Sequence, residues 1–289
     1  QLESLLAQRD GNWIALIRDD GSRDQTLAIV QRYAATDARF VLLEPSVESQ
    51  GACANFACLL EAAHRRGAEL FALCDQDDVW HVDKLGRMRA VLEEAASRHA
   101  AATPLLAYAD LSLIGETGHM LAASHFAHAR AAQVGRGVGT WLLLHNLVPG
   151  CAMAGNRALL DLALPLPAGV GHHDWWLISL AAMTGEVLAV DAVLTAYRQH
   201  RHNAVGALSP LRRLLRFATA FRAELARARK QYWVAPAQAA ALLARISEHG
   251  FRGRARWGGE ADVVLAGLGA ACRLRRIRGV VRGPVRRLG

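Results

Sequence analysis

The chain has 289 residues, 52% of them hydrophobic, and a net charge of +8. That is enough apolar material for a sizeable core, in one large domain or a domain with an appendage. No run reaches the roughly 18–20 uncharged apolar residues of a membrane span; the nearest, Val263 to Cys272, is far too short.

The charge is unevenly divided. Residues 211–289 carry 18 Lys and Arg against 4 Asp and Glu, whereas residues 1–210 carry 16 against 22, so an acidic body (−6) precedes a strongly basic segment (+14). Five cysteines (Cys53, Cys58, Cys74, Cys151, Cys272) are odd in number and lack zinc spacing. Most sit in apolar runs, which reads as reduced thiols of a cytoplasmic protein.

Along the chain, short apolar runs alternate with helical patterns. Trp13 to Arg18 reads as a strand, and Asp24 to Ala35 as a helix with Asp24 as its cap. Phe40 to Leu43 is a second strand. Asn55 to Arg66 sets Phe56, Leu59, Leu60 and Ala63 on one helical face. Glu69 to Cys74, a long helix over Val82 to His99 and a strand over Leu105 to Leu113 follow. This alternation predicts an α/β fold with a mostly parallel sheet covered on both faces. Further on, Gly135 to Gly139 is a bend and Val148 to Ala154 a strand, with a helix from Arg157. Another helix opens at Gly171 to Trp176 and ends near Gly185, and a strand over Glu186 to Asp191 leads into a polar loop, Tyr197 to Asn203. From Leu211 the chain is rich in Ala and Arg and helical in propensity. Leu214, Phe217, Phe221 and Leu225 form an apolar stripe flanked by Arg212, Arg213, Arg216 and Arg222. Such a basic amphipathic helix either docks on an anionic membrane surface or packs on the body.

Polar clusters stand where strands end. Asp75, Asp77 and Asp78 follow the strand ending at Cys74, at the edge where open α/β sheets gather ligands. In extended backbone Asp75 and Asp77 point the same way. Their repulsion is relieved by a cation that prefers oxygen ligands, Mg²⁺ or Mn²⁺. The bland alternative is an acidic turn capping the next helix. Asp19 and Asp20 close the first strand in an Asp-Gly turn, which alone is weak evidence. His173 and Asp174 open a helix whose dipole favours negative charge. Asp174 is either an N-cap or a general base, and Trp175 and Trp176 either wall a pocket or fill the core. Arg198 and His200 suit a diphosphate beside a metal, unless their segment is only a solvated loop.

Taken in order, these pieces resemble the family 2 glycosyltransferases of the GT-A fold, and most closely their bacterial rhamnosyltransferase-like branch. The pieces are Asp19 to Asp24, Gly51 to Leu60 with Asn55, Asp75 to Trp80 with Lys84, Gly150 to Met153, His173 to Trp176, and Tyr197 to His200 with Asn203. The resemblance spans about residues 1–207 and leaves 208–289 as a basic helical extension. It implies a metal-dependent, inverting transfer of a sugar such as rhamnose. The donor is a dTDP- or UDP-sugar and the acceptor a glycan or lipid-linked hydroxyl in cell-surface polysaccharide synthesis. The setting implied is the cytoplasmic face of the membrane.

By the same resemblance Asp174 is the catalytic base, and Asp19, Asp20, Asn55, Asp75 and Arg198 bind the nucleotide-sugar. Asp77 and His200 hold Mg²⁺ or Mn²⁺, and Asp78, Trp80, Gly150, His173 and Trp175 surround the sugar and acceptor. It further implies an apolar strand ahead of the helix read at Gln1 to Gln8. Two rival functions are a nucleic-acid-binding module built on the basic tail and a metal-dependent hydrolase. The tail has few interleaved aromatics and no nucleic-acid motif, and the second lacks a second well-spaced His/Asp set.

Overall fold

The computed structural model describes residues 1–46, 49–129, 142, 145–200 and 221–250. Helix α1 (Leu2–Leu6) leads to β1 (Ala15–Ile17), α2 (Thr26–Thr36), β2 (Phe40–Leu42), α3 (Ala52–Arg65) and β3 (Leu70–Ala72). Then come β4 (Val79–Trp80), α4 (Lys84–Arg98), β5 (Leu105–Ile114), β6 (Met120–Ala122) and α5 (His125–Ala129). A 3₁₀ turn at Gly150–Ala152 feeds β7 (Met153–Asn156), followed by α6 (Arg157–Ala163), α7 (His173–Thr184), β8 (Glu186–Arg198) and α8 (Phe221–Glu248).

Strand β5 carries the core. Leu105, Ala107 and Ala109 face the cluster made by Met88, Leu92 and Ala95 of α4, which recur at spacings of four and three. Leu106 and Tyr108 point the other way, into the larger cluster that contains α7. The register with β8 shifts at Asp110, and beyond it Leu111 joins the face of Leu106 and Tyr108. Helix α7 is apolar on every side, with nine buried residues, so it runs through the interior instead of over the surface.

The α/β class is as the sequence predicts, but the sheet is mixed and not mostly parallel. Strands β1 and β2 form a parallel pair of their own. The larger sheet runs β3-β7-β5-β8-β4 with β6 on β5, and among the described residues only its β5–β8 pair is parallel. The cause is β7, which enters from the 3₁₀ turn and lies reversed between β3 and β5. Those two strands therefore share a direction without touching. The two sheets meet through side chains: Leu5, Phe40 and Trp80 pack with Ala15 and Ile17 of β1, with Ala72 of β3 and with Cys74 just after it.

Gly155 of β7 makes that insertion possible. A Cβ there would lie 2.7 Å from the Phe71 ring and 3.1 Å from Leu159. Gly155→Ala is expected to lower stability by about 1–3 kcal/mol, the usual cost of overpacking, read as a lower urea midpoint at unchanged slope.

The C-terminal helix does not stand apart from the body where its side chains are described. Ala235, Ala239, Leu242 and Ile246 are buried at helical spacing, and Ala235, Leu242 and Ile246 belong to the cluster around α7. Arg245 donates to the carbonyls of Leu162 (2.8 Å), Leu164 (3.0 Å) and Pro165 (2.7 Å), capping the end of α6. These residues belong to the core of the body, although the sequence places them in the extension. Of the expected membrane-facing stripe, Leu214 and Phe217 and the side chains of Phe221 and Leu225 lie outside what the structure describes.

Candidate active site

The acidic loop hangs between β3 and β4. It is not extended: Gln76 and Asp77 form a turn, so the alternation expected to align Asp75 with Asp77 does not apply. Asp75 groups instead with Asp78 and Cys151, each offering a ligand atom within 4.8 Å of the others. Burial, then Asp78, Asp77 and Asp174, push the Asp75 carboxyl up to about 7. Burial also drives Asp78 up to about 6, although the Arg198 backbone N–H donates to Asp78 Oδ1 at 2.9 Å. The other Asp78 oxygen has no hydrogen-bond partner among the described residues.

Asp77 turns the other way. Its Oδ2 lies 2.7 Å from His200 Nε2, and each side chain is about a quarter exposed (23% and 24%). The two expected metal ligands, 123 positions apart, are therefore brought together. Arg198 fixes the same loop. Its Nε donates to the Asp77 carbonyl (2.8 Å) and Nη1 to the carbonyls of Gly115 (3.1 Å) and Glu116 (2.8 Å). These bonds clamp the acidic loop to the β5–β6 hairpin, a task the sequence reading had not given it. Arg198 is also the last residue of β8, so the polar segment begins as sheet edge and not as loop.

Asp174 is the second residue of α7. Its Oδ2 accepts from the Gly150 backbone N–H (3.1 Å) and its Oδ1 from that of Trp175 (2.8 Å). Two backbone donors at the start of the helix fix the carboxylate in place. His173 stacks on Phe56 of α3, ring centroids 4.0 Å apart, and burial lowers its pKa. Gly150 fits closely here: a Cβ would lie 3.3 Å from both Asp174 Cβ and His173 Nε2.

Two expected pocket walls are core residues. Trp175 is 1% exposed, and its indole N–H donates to the Leu142 carbonyl. Trp80 is buried in the cluster between the two sheets. Indoles this large contribute most when fully desolvated, and both take that role.

At the end of β1, Asp19 Oδ2 accepts from the N–H groups of Gly21 (3.1 Å) and Ser22 (2.9 Å). Asp20 accepts from Ser49 Oγ and from the N–H groups of Gln50 and Gly51. Its pKa is lowered: burial acts upward, but those donors and Arg18 outweigh it. Asn55 Oδ1 accepts from Arg18 Nη1 (2.6 Å), and its Nδ2 donates to the Arg18 carbonyl (3.1 Å). Two of the five expected nucleotide residues, Asp20 and Asn55, thus meet at Arg18, tying the start of α3 to the end of β1. A cleft of about 990 Å³ lined by Arg18, Glu44, Ser49, Gln50, Arg65 and Arg66 opens beside them. Asp75, Asp77 and Asp174 lie outside it.

Sequence reasoning matched Lys84 to a motif without giving it a task. Its ammonium is fully buried, donates to the Cys151 carbonyl and to Thr195 Oγ1 (2.7 Å), and lies 3.9 Å over the Trp80 ring. No spacing rule announces this, because the partners are 67 and 111 positions away. Burial pulls its pKa down from 10.5 to about 8. Between those values the unfolded chain holds the proton more tightly, so the cost of burying the charge is full below pH 8 and vanishes as pH rises to about 10.5. Lys84→Met carries no such cost. Its stability relative to the wild type should therefore fall by about 3 kcal/mol from pH 8 to 10.5, read by urea unfolding at both ends. A constant difference would contradict the buried ammonium.

These elements define an α/β protein with acidic loops at strand ends and a carboxylate at a buried helix start. The sequence profile described as Glycosyl transferase family 2 matches residues 2–158, and the chain belongs to that family. Its fold is accordingly the GT-A class of nucleotide-sugar enzymes, and it is a glycosyltransferase. A dTDP-rhamnosyl transferase, RfbG of Shigella flexneri, is 26% identical over 213 residues, 72% of this chain and 70% of that protein. A solved structure, the mannosyltransferase PcManGT from Pyrobaculum calidifontis in complex with GDP-Man and Mn²⁺, aligns over 94% of this chain and 75% of its own. The TM-score is 0.49 and the identity 18%.

Proposed function

We propose that the chain transfers rhamnose from dTDP-rhamnose, with inversion, to a hydroxyl of a glycan or lipid-linked acceptor in cell-surface polysaccharide synthesis. One observation carries this reading. The acidic loop and the start of α7 converge on one turn: the Gly150 N–H donates to Asp174 Oδ2 at 3.1 Å, and Cys151 beside it groups with Asp75 and Asp78 within 4.8 Å. A base is thereby set beside a donor site. The similarity to a dTDP-rhamnosyl transferase supports the choice of sugar.

Asp174 takes the proton of the acceptor hydroxyl as its oxygen attacks the anomeric carbon. The bond to the diphosphate oxygen breaks on the opposite face, and Gly150 and Trp175 hold the base throughout. The oxygen and nitrogen aimed at one another by Asp77 and His200 form a hard, partly exposed donor set that fits Mg²⁺ or, with its imidazole, Mn²⁺. A cation held there supplies Lewis acidity to the leaving diphosphate. Asp19, Asp20 and Asn55 border the nucleotide, and Arg198 keeps the acidic loop in place.

The test is a thermal-shift series with dTDP-rhamnose, UDP-glucose and GDP-mannose, each with Mn²⁺, followed by transfer of radiolabelled rhamnose to a bacterial lipid extract. Ligand binding raises the melting temperature by mass action, so dTDP-rhamnose should shift it most. A larger shift with either other donor overturns the choice of rhamnose. Release of free sugar with no labelled lipid or glycan overturns the transfer.

A further inference from the structure

We propose that Lys84 is a positioning residue that sets the Gly150–Ala152 turn and, through it, holds Asp174 in place. The inference rests on the reading of Asp174 as the base. Lys84 is the first residue of α4, yet its ammonium reaches three other elements: the Trp80 ring of β4, the Cys151 carbonyl of the turn and Thr195 Oγ1 of β8. Thr195 Oγ1 also donates to the Cys151 carbonyl at 3.3 Å, so that one carbonyl is held by two donors.

One residue earlier, the Gly150 N–H donates to Asp174 Oδ2. The absent Gly150 side chain leaves the turn pressed against Asp174 and His173. A shift of the Cys151 carbonyl therefore moves the amide that orients the base. Lys84 occupies a fully buried site that a methionine would fill at similar volume, so packing alone does not call for an ammonium. Lys84→Met keeps the volume, and Thr195 Oγ1 still donates to the Cys151 carbonyl, so the substitution removes the charge without leaving that acceptor bare.

Amide hydrogen exchange of the full chain, read by mass spectrometry on peptides covering Gly150 to Met153 and Asp174 to Leu177, tests this without any sugar substrate. Lys84→Met should speed exchange at the Gly150 peptide at least tenfold while the melting temperature holds and β5 stays protected. Unchanged exchange at Gly150, or loss of protection throughout the chain, overturns the proposal. If Lys84→Met does not fold, Thr195→Val decides by the same criterion, since it removes the hydroxyl shared by Lys84 and Cys151.

Turnover gives a second readout, dTDP release from dTDP-rhamnose with Mn²⁺. Lys84→Met should lower kcat by 10- to 100-fold with donor affinity within threefold, and should lower it little further in an Asp174→Asn background. Equal losses in both backgrounds would mean that Lys84 does not act through Asp174. Full activity of Asp174→Asn alone would instead sink the base, leaving the exchange result to judge the turn.

Discussion

Asp174→Asn is expected to lower kcat by about 10²–10⁴-fold, the usual contribution of a positioned general base, while the donor dissociation constant stays within about threefold. The amide keeps the volume of the carboxylate. Its oxygen can still accept from Gly150 or Trp175, whose N–H groups now hold the two carboxylate oxygens. What disappears is the capacity to take a proton, so the loss should fall on the chemical step and not on ground-state binding. Turnover of labelled donor with acceptor, alongside calorimetry with dTDP-rhamnose and Mn²⁺, separates the two. A variant keeping more than about a tenth of the activity would reduce Asp174 to a structural tie between the first turn of α7 and Gly150.

Much of the frame was legible because hydrophobic periodicity is local. The strands read at Phe40 to Leu43 and Leu105 to Leu113 are β2 and β5 to within a residue, and the helices over Asn55 to Arg66 and Val82 to His99 are α3 and α4 with shifted starts. Strand β4 is only two residues long, and β6 leaves Met120 and Leu121 exposed, so neither buries a face that a pattern could mark. The reversed entry of β7 was also invisible, since strand–helix alternation gives direction only for strands joined by crossovers.

The same limit applies at the site. Motif order paired Asp77 with His200, and their side chains lie 2.7 Å apart, yet the partition of the acids depended on the turn at Gln76 and Asp77, which no alternation rule anticipates. Trp80 and Trp175 show the converse. The resemblance set both around the sugar and acceptor, whereas their apolar area is satisfied in the core. Lys84 needed tertiary structure altogether, because a charge is expected outside unless something buried calls for it.

Asp77→Ala is expected to abolish Mn²⁺-dependent binding of dTDP, whereas Asp75→Ala should only weaken it. Asp77 is the acid whose oxygen meets a second donor, His200 Nε2, at 2.7 Å where solvent still reaches both. A divalent cation needs such converging O and N atoms with positions left for a diphosphate. Asp75 stands in a different arrangement, crowded by Asp78 and Cys151, with its carboxyl pushed up to about 7. In that crowded position Asp75 is assigned to the ribose as a hydrogen-bonding partner, and the cation to the solvent-reached Asp77 and His200. Removing Asp75 also relieves repulsion on Asp77 and Asp78, which offsets part of the lost contact. Calorimetry with dTDP, with and without Mn²⁺, gives the answer: wild type and Asp75→Ala should both bind more tightly with the metal, and Asp77→Ala should bind equally with or without it. If instead Asp75→Ala alone lost the metal dependence, the cation would belong with Asp75, Asp78 and Cys151, and the pairing of Asp77 with His200 would be a structural ion pair.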